Sequence, residues 1–178
     1  IHILKLMKKR LFLTIFTVLV LQKIFAQTVL QQEERQSGYK GGFTPELTWL
    51  KDGFTFLALG DFGRVGEYYQ KDVAAELGRT AITLDAEFIV SVGDNFYPSG
   101  VASTQDQHWK SSFEEIYTHP NLYQDWYVIL GNHDYRGNIS AQIDYTQISR
   151  RWNMPIPYFK KKFKLEDGST LLMVFMDT

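Results

Sequence analysis

Cysteine is absent from all 178 residues. That absence excludes disulfides, zinc–thiolate sites and cysteine nucleophiles together, and leaves the redox compartment open. An excess of one charge sign is missing too: the formal net charge is −1. The chain therefore lacks the bulk field that draws in nucleic acid or an anionic membrane. Its N-terminal apolar stretch, residues 11–21, is shorter than the roughly 20 residues of a membrane span. Histidine occurs only four times, at His2, His108, His119 and His133. No internal repeat or low-complexity segment interrupts the chain.

The length suits one domain of ordinary size with a real core. Met7 opens MKKRLFLTIFTVLVLQKIFAQ, with basic Lys8, Lys9 and Arg10, the apolar stretch, and small Ala26. This pattern reads as an export signal over residues 1–26, started at Met7 and cleaved after Ala26. It predicts a secreted or periplasmic protein with no stable membrane partner beyond the signal. Residues 27–52 are polar and glycine-containing, and read as a mature N-terminal arm. Residues 53–178 form the folded part, and the stop at Thr178 directly after an apolar run is expected of a truncated domain.

Three apolar runs end in glycine plus a residue that can bind a cation: FTFLALGD at Asp61, EFIVSVGD at Asp94 and WYVILGNHD at Asn132. Each run has the makeup of a buried strand, here residues 54–59, 87–92 and 126–130. Intervening segments read as helices. The first carries Tyr69, Val73 and Leu77 on one stripe, and the second, residues 105–117, carries Trp109, Phe113 and Ile116. A third spans residues 141–152 with Ser140 as N-cap. FKKKFKLEDGSTLLMVF reads as a hairpin turning at Asp167-Gly168. The intervals of 33 and 38 residues between boxes fit right-handed βαβ crossovers, which bring all three boxes to one sheet edge. That edge is where open α/β sheets bind ligands.

Each box alone has an ordinary explanation. Asp61 could cap a helix, and Tyr97 could be a rim aromatic. Carboxylate, phenol and amide oxygens from Asp61, Asp94, Tyr97 and Asn132 together suit a hard cation, and a trivalent ion would hold Tyr97 as phenolate. His133 adds an imidazole that can donate or accept a proton, and Asp134 could orient it or cap the loop. His108 and His119 read as surface residues. Gly63-Arg64-Val65-Gly66 suggests a phosphate loop, but no GKS or GKT follows, which favours a flexible loop. Lys160, Lys161, Lys162 and Lys164 read as protection for a strand edge. Asn138-Ile139-Ser140 is a glycosylation sequon.

GDFG, GDNFY and GNHD, in that order and spacing, resemble the metallophosphoesterase (calcineurin-like) superfamily. Within it the chain is similar to the purple acid phosphatases of the small tartrate-resistant type, including over WYVILGNHDYRGNISAQIDY and ISRRWNMPIPYF. The generic Asp-x-His opening is absent at Asp61-Phe62-Gly63, and Tyr97 is present, as in the purple enzymes. The resemblance implies an α/β/β/α sandwich, of which this chain holds the N-terminal βαβαβ half plus a hairpin. It implies phosphomonoester hydrolysis at an Fe(III) plus divalent (Fe, Zn or Mn) centre, metal-bound hydroxide attacking phosphorus. Asp61 and Tyr97 then serve the ferric ion, Asp94 bridges, Asn132 binds the divalent ion, and His133 assists the leaving oxygen. The expected partner is a small phosphate ester, not nucleic acid. The family's Gly-His and Gly-His-x-His boxes are absent from these residues, so the chain alone is expected to bind metal poorly and to be inactive. A phosphoesterase of diesters or nucleotides, and a secreted binding module without catalysis, stay open as alternatives.

Overall fold

Four strands pair in parallel in the order of the chain: β1 (Phe56–Leu59), β2 (Phe88–Ser91), β3 (Trp126–Val128) and β4 (Trp152–Asn153). This computed structural model describes residues 53–177. The export signal over residues 1–26 and the polar arm over residues 27–52 lie outside the described residues. β2 and β3 are buried on both faces, which explains their uninterrupted apolar runs, whereas edge strand β1 alternates between exposed and half-buried positions. In-register pairing of Ile89 with Trp126, and of Trp126 with Trp152, aligns the strand ends.

The sheet separates two apolar layers by strand alternation. Ile89, Trp126 and Val128 face a core that also contains Phe62, Phe96, Trp109, Phe113, Tyr117 and Trp152. Phe88, Val90 and Tyr127 face the other way, against Phe163 and Phe175. Those last residues come from an antiparallel hairpin, β5 (Phe159–Lys164) with β6 (Thr170–Phe175). Phe163 stacks on Phe88 at 4.5 Å. Asp167 accepts from the Ser169 N–H at 2.8 Å in the hairpin turn, as Asp167-Gly168 predicts. The lysines Lys160, Lys161, Lys162 and Lys164 are exposed along β5.

The helices depart from expectation in instructive ways. Helix α1 (Gln70–Thr83) buries Gln70, Ala74, Gly78 and Ala81, not the Tyr69–Val73–Leu77 stripe. Tyr69 and Val73 are exposed, and Leu77 is half-buried. The small face wins because the helix must approach closely: His119 occupies the space a Cβ on Gly78 would need. Between β2 and β3 a single π-helical turn, Lys110–Glu114, stands where a helix over residues 105–117 was expected. It still buries Trp109 and Phe113. Its end is held by Arg151, which donates to the carbonyls of Tyr117 (2.6 Å), Glu114 (3.3 Å) and Phe113 (3.4 Å) and to the Glu114 carboxylate (2.8 Å). A guanidinium supplies enough donors to satisfy carbonyls that a helix end leaves free.

The third helix is also shorter than residues 141–152. Helix α2 spans Ile139–Asp144, followed by a 3₁₀ turn at Tyr145–Gln147. Its cap is Asn138, whose side chain accepts from the Ala141 N–H at 3.3 Å, so Ser140 is not the N-cap. The Asn138 amide nitrogen of the sequon donates to Ala102 O at 3.3 Å. Trp152 lies in β4, fully buried, its indole N–H on Gln142 O at 2.9 Å. Burying that ring against Phe96, Phe113 and Trp109 outweighs continuation of the helix.

Arg151→Ala removes one partner of a buried ion pair together with several carbonyl donors. The expected loss is about 3 kcal/mol of stability, read as a lowered urea midpoint; Arg151→Lys restores only part of it, having fewer donors.

Candidate metal centre

Parallel pairing delivers the three glycine boxes to one edge of the sheet. After β1, Asp61 takes a left-handed φ of 58° and donates its N–H to Gly93 O at 3.1 Å. After β2, Gly93 (φ 102°) and Asp94 (φ 50°) turn the chain sharply. A non-glycine αL residue costs of the order of 1 kcal/mol and persists only where neighbours hold it. Here the neighbour is the third box. Any Cβ at Gly131 would overlap the Asp94 backbone nitrogen and carboxylate, and the His133 N–H donates to Asp94 Oδ1 at 2.8 Å. The two loops touch along their backbones.

Tyr97 closes the cluster. Its hydroxyl meets the Asp61 carboxylate and lies 2.8 Å from Asp94 Oδ2. Burial pushes the Tyr97 phenol well above its ordinary value, and the hydrogen bonds and charges of Asp61 and Asp94 add to that. One phenol proton cannot satisfy two carboxylates at once. A hard cation relieves this crowding by accepting all three oxygens, so the donor set fits one. Asn132 is exposed in the turn between Gly131 and His133, and no hydrogen bond joins its side chain to the carboxylates.

His133 packs its ring 4.3 Å from that of Tyr97, and its Nδ1 lies 2.7 Å from Pro98 O. Nδ1 also lies 3.2 Å from an Arg136 guanidinium nitrogen, so both contacts of the ring are made by Nδ1, and Nε2 is the nitrogen left for other chemistry. His108 and His119 stand apart from this cluster and are half-buried rather than exposed, and His2 lies outside the described residues. His108 pairs with Asp106 at 3.0 Å, and His119 packs over Gly78. Among the described residues no group of three His, Cys, Asp or Glu is set to hold a metal.

The residue that sequence reasoning undervalued is Asp134. It does not touch the His133 imidazole; it caps its own loop through the Gly131 N–H and reaches well beyond it. Fully buried, it accepts from the backbone N–H groups of Asn95 (3.0 Å), Phe96 (3.2 Å) and Gly131 (2.9 Å) and from the Gln142 amide (2.9 Å). Burial raises its carboxyl above the usual range, against the lowering effect of these donors. Asn95, also buried, donates to Ile129 O (2.8 Å) and Gln142 Oε1 (3.1 Å), and the Ser91 hydroxyl donates to it. The second and third boxes are thus one hydrogen-bonded unit. Asp134 directly follows His133 and Asn95 directly follows Asp94; Gln142, on α2, carries no such mark in the sequence.

A sandwich around a parallel sheet, with acidic and aromatic oxygens gathered past the strand ends, defines the class. The chain belongs to the calcineurin-like phosphoesterase family, whose model matches residues 54–173. It is similar to tartrate-resistant acid phosphatase type 5 of Homo sapiens, 40% identical over 73% of this chain and 43% of that protein. Purple acid phosphatase 7 of Arabidopsis thaliana is 42% identical over 64% of this chain and 34% of its own. The chain spans about two fifths of the curated relatives it matches. Among solved structures, GAP50, the anchor in the inner membrane complex of Plasmodium, matches with a TM-score of 0.58 at 27% identity, covering 68% of this chain and 40% of that one.

Asp134→Ala leaves three backbone N–H groups and the Gln142 amide without their acceptor. A loss of about 3 kcal/mol is expected in thermal unfolding, with a smaller loss for Asp134→Asn.

Proposed function

We propose that the protein, in its full coding sequence, hydrolyses phosphomonoesters at a binuclear centre of Fe(III) and a divalent ion (Fe, Zn or Mn). The observation that carries this reading is the Tyr97 hydroxyl lodged between Asp61 and Asp94, in a chain whose first box has Gly63 where a generic family member's Asp-x-His has histidine. Similarity to proteins named acid phosphatases supports the reaction class. Asp61, Tyr97 and Asp94 would hold the ferric ion, and Asp94 together with the Asn132 amide oxygen would serve the divalent ion. When bound, the metal pair supplies the positive charge that clamps a phosphate and activates water.

The chain's own groups do the rest. Asp94 is oriented by the His133 N–H. The Nδ1 contact with Pro98 O holds the imidazole in one orientation, and Nε2, when protonated, donates to the departing alcohol oxygen. Tyr97 contributes a phenolate only once a cation offsets the burial that favours its neutral form. The substrate is a small phosphate ester. The N-terminal signal takes the protein out of the cytoplasm, with Gln27 as the mature first residue; N-terminal sequencing of the secreted protein checks the cleavage.

A second reading, a binding module without catalysis, draws support from the likeness to a Plasmodium protein described as an anchor. Metal-loaded protein separates the two: turnover of p-nitrophenyl phosphate well above that of a diester supports the enzyme, and no turnover of either supports the module. Tyr97→Phe is expected to abolish the visible charge-transfer band and to lower kcat/KM by about a hundredfold or more. An unchanged spectrum removes Tyr97 from the metal.

A further inference from the structure

The Gly63-Arg64-Val65-Gly66 segment is not the flexible loop its glycines suggest. Asp61, Val65, Tyr68 and Tyr69 all have positive φ without being glycine, and such residues persist where surroundings over-determine them. Two buried polar side chains do this. Gln70 accepts from the N–H groups of Arg64 (3.1 Å) and Gly66 (2.7 Å), and donates to Ser112 O at 2.7 Å. Ser112 takes the Val65 N–H on its hydroxyl at 2.9 Å. Both are buried, and neither has a part in the metal centre. Their common effect is to hold the backbone of Arg64.

That backbone sets the Arg64 guanidinium over Tyr97, with its carbon 3.6 Å from the ring centroid. At van der Waals separation a guanidinium lies flat on the ring, and its N–H donors point outward in its own plane. Arg64 is half-buried, and among the described residues no carboxylate forms an ion pair with it. A permanent cation with unused donors therefore stands beside the phenol whose hydroxyl touches Asp61 and Asp94. Tetrahedral oxyanions suit such a fork.

We propose that Arg64 is a substrate-binding residue, donating to a phosphoryl oxygen of the ester while it stacks on Tyr97. Gln70 and Ser112 serve as its positioning residues. This assignment rests on the phosphatase reading above. It explains why this cation is carried on a clamped, αL-rich loop.

The test uses metal-loaded protein of the full coding sequence, with inorganic phosphate as the probe in calorimetry and p-nitrophenyl phosphate in kinetics. Arg64→Ala is expected to weaken phosphate binding about tenfold, with KM rising in parallel and kcat changing less. Arg64→Lys recovers part of the affinity, keeping charge but losing the fork. Metal content and visible spectrum are read on the same samples. Equal phosphate affinity in wild type and Arg64→Ala, with turnover intact, overturns the Arg64 assignment alone. A shifted visible band with equal phosphate affinity also overturns it, because Arg64 then only braces Tyr97. A wild-type protein that holds no metal and turns over nothing overturns the phosphatase reading, and this assignment with it.

Discussion

A carboxylate with no exposure to solvent holds the site's backbone together. Asp134 accepts from Asn95, Phe96 and Gly131, three N–H groups that sharp turns would otherwise leave unpaired. Removing such a carboxylate from water costs several kcal/mol, and only dense hydrogen bonding offsets that. In return, the loop bearing Asp94 and Tyr97 cannot move independently of the loop bearing Asn132 and His133. Gly131 makes the contact possible, because a side chain there would collide with the Asp94 carboxylate.

Beneath this polar unit the scaffold is aromatic and rigid. Trp109 stacks on Tyr145 at 3.5 Å, and Phe113 meets Trp126 and Trp152 edge-on at 5.0 Å each. Such rings offer large buried area with few rotamers, which suits a base for a site needing fixed distances. Arg151 ties the π-helical turn to β4 from within the same layer. On the opposite face the Phe88–Phe163 stack closes the sandwich. Non-glycine residues with positive φ fall at Asp61, Val65, Tyr68, Tyr69 and Asp94 in the loops after β1 and β2, and at Asp85 ahead of β2.

β1 to β3 and the three boxes were legible in the chain because each run is apolar and stops at glycine, whereas β4 was not, its Trp152 having been read into a helix. The hairpin was legible from Asp167-Gly168. Helix faces were less so. Hydrophobicity nominated Tyr69 and Val73, but close packing under His119 selected Ala74 and Gly78, since distance of approach depends on size as well as polarity. The third helix was overextended because Trp152 satisfies helical spacing equally well as a strand residue. Asp134 was visible as a residue but not as a hub, because its partners lie 39, 38 and 8 positions away at Asn95, Phe96 and Gln142.

The sequence by itself determined the first three strands and the hairpin, the positions of Asp61, Asp94, Tyr97, Asn132 and His133 past strand ends, and the family those boxes resemble. These features are local, written in the composition of short runs and in their spacing. Only the tertiary structure decided that Tyr97 reaches both carboxylates, that Asp134 locks two loops into one, and that Gln70 and Ser112 set Arg64 over the Tyr97 ring. The decisive relations, Tyr97 with Asp61, Asp134 with Asn95 and Ser112 with Val65, join residues far apart in the chain, and a hydrogen bond between distant residues leaves no periodic trace in a single sequence.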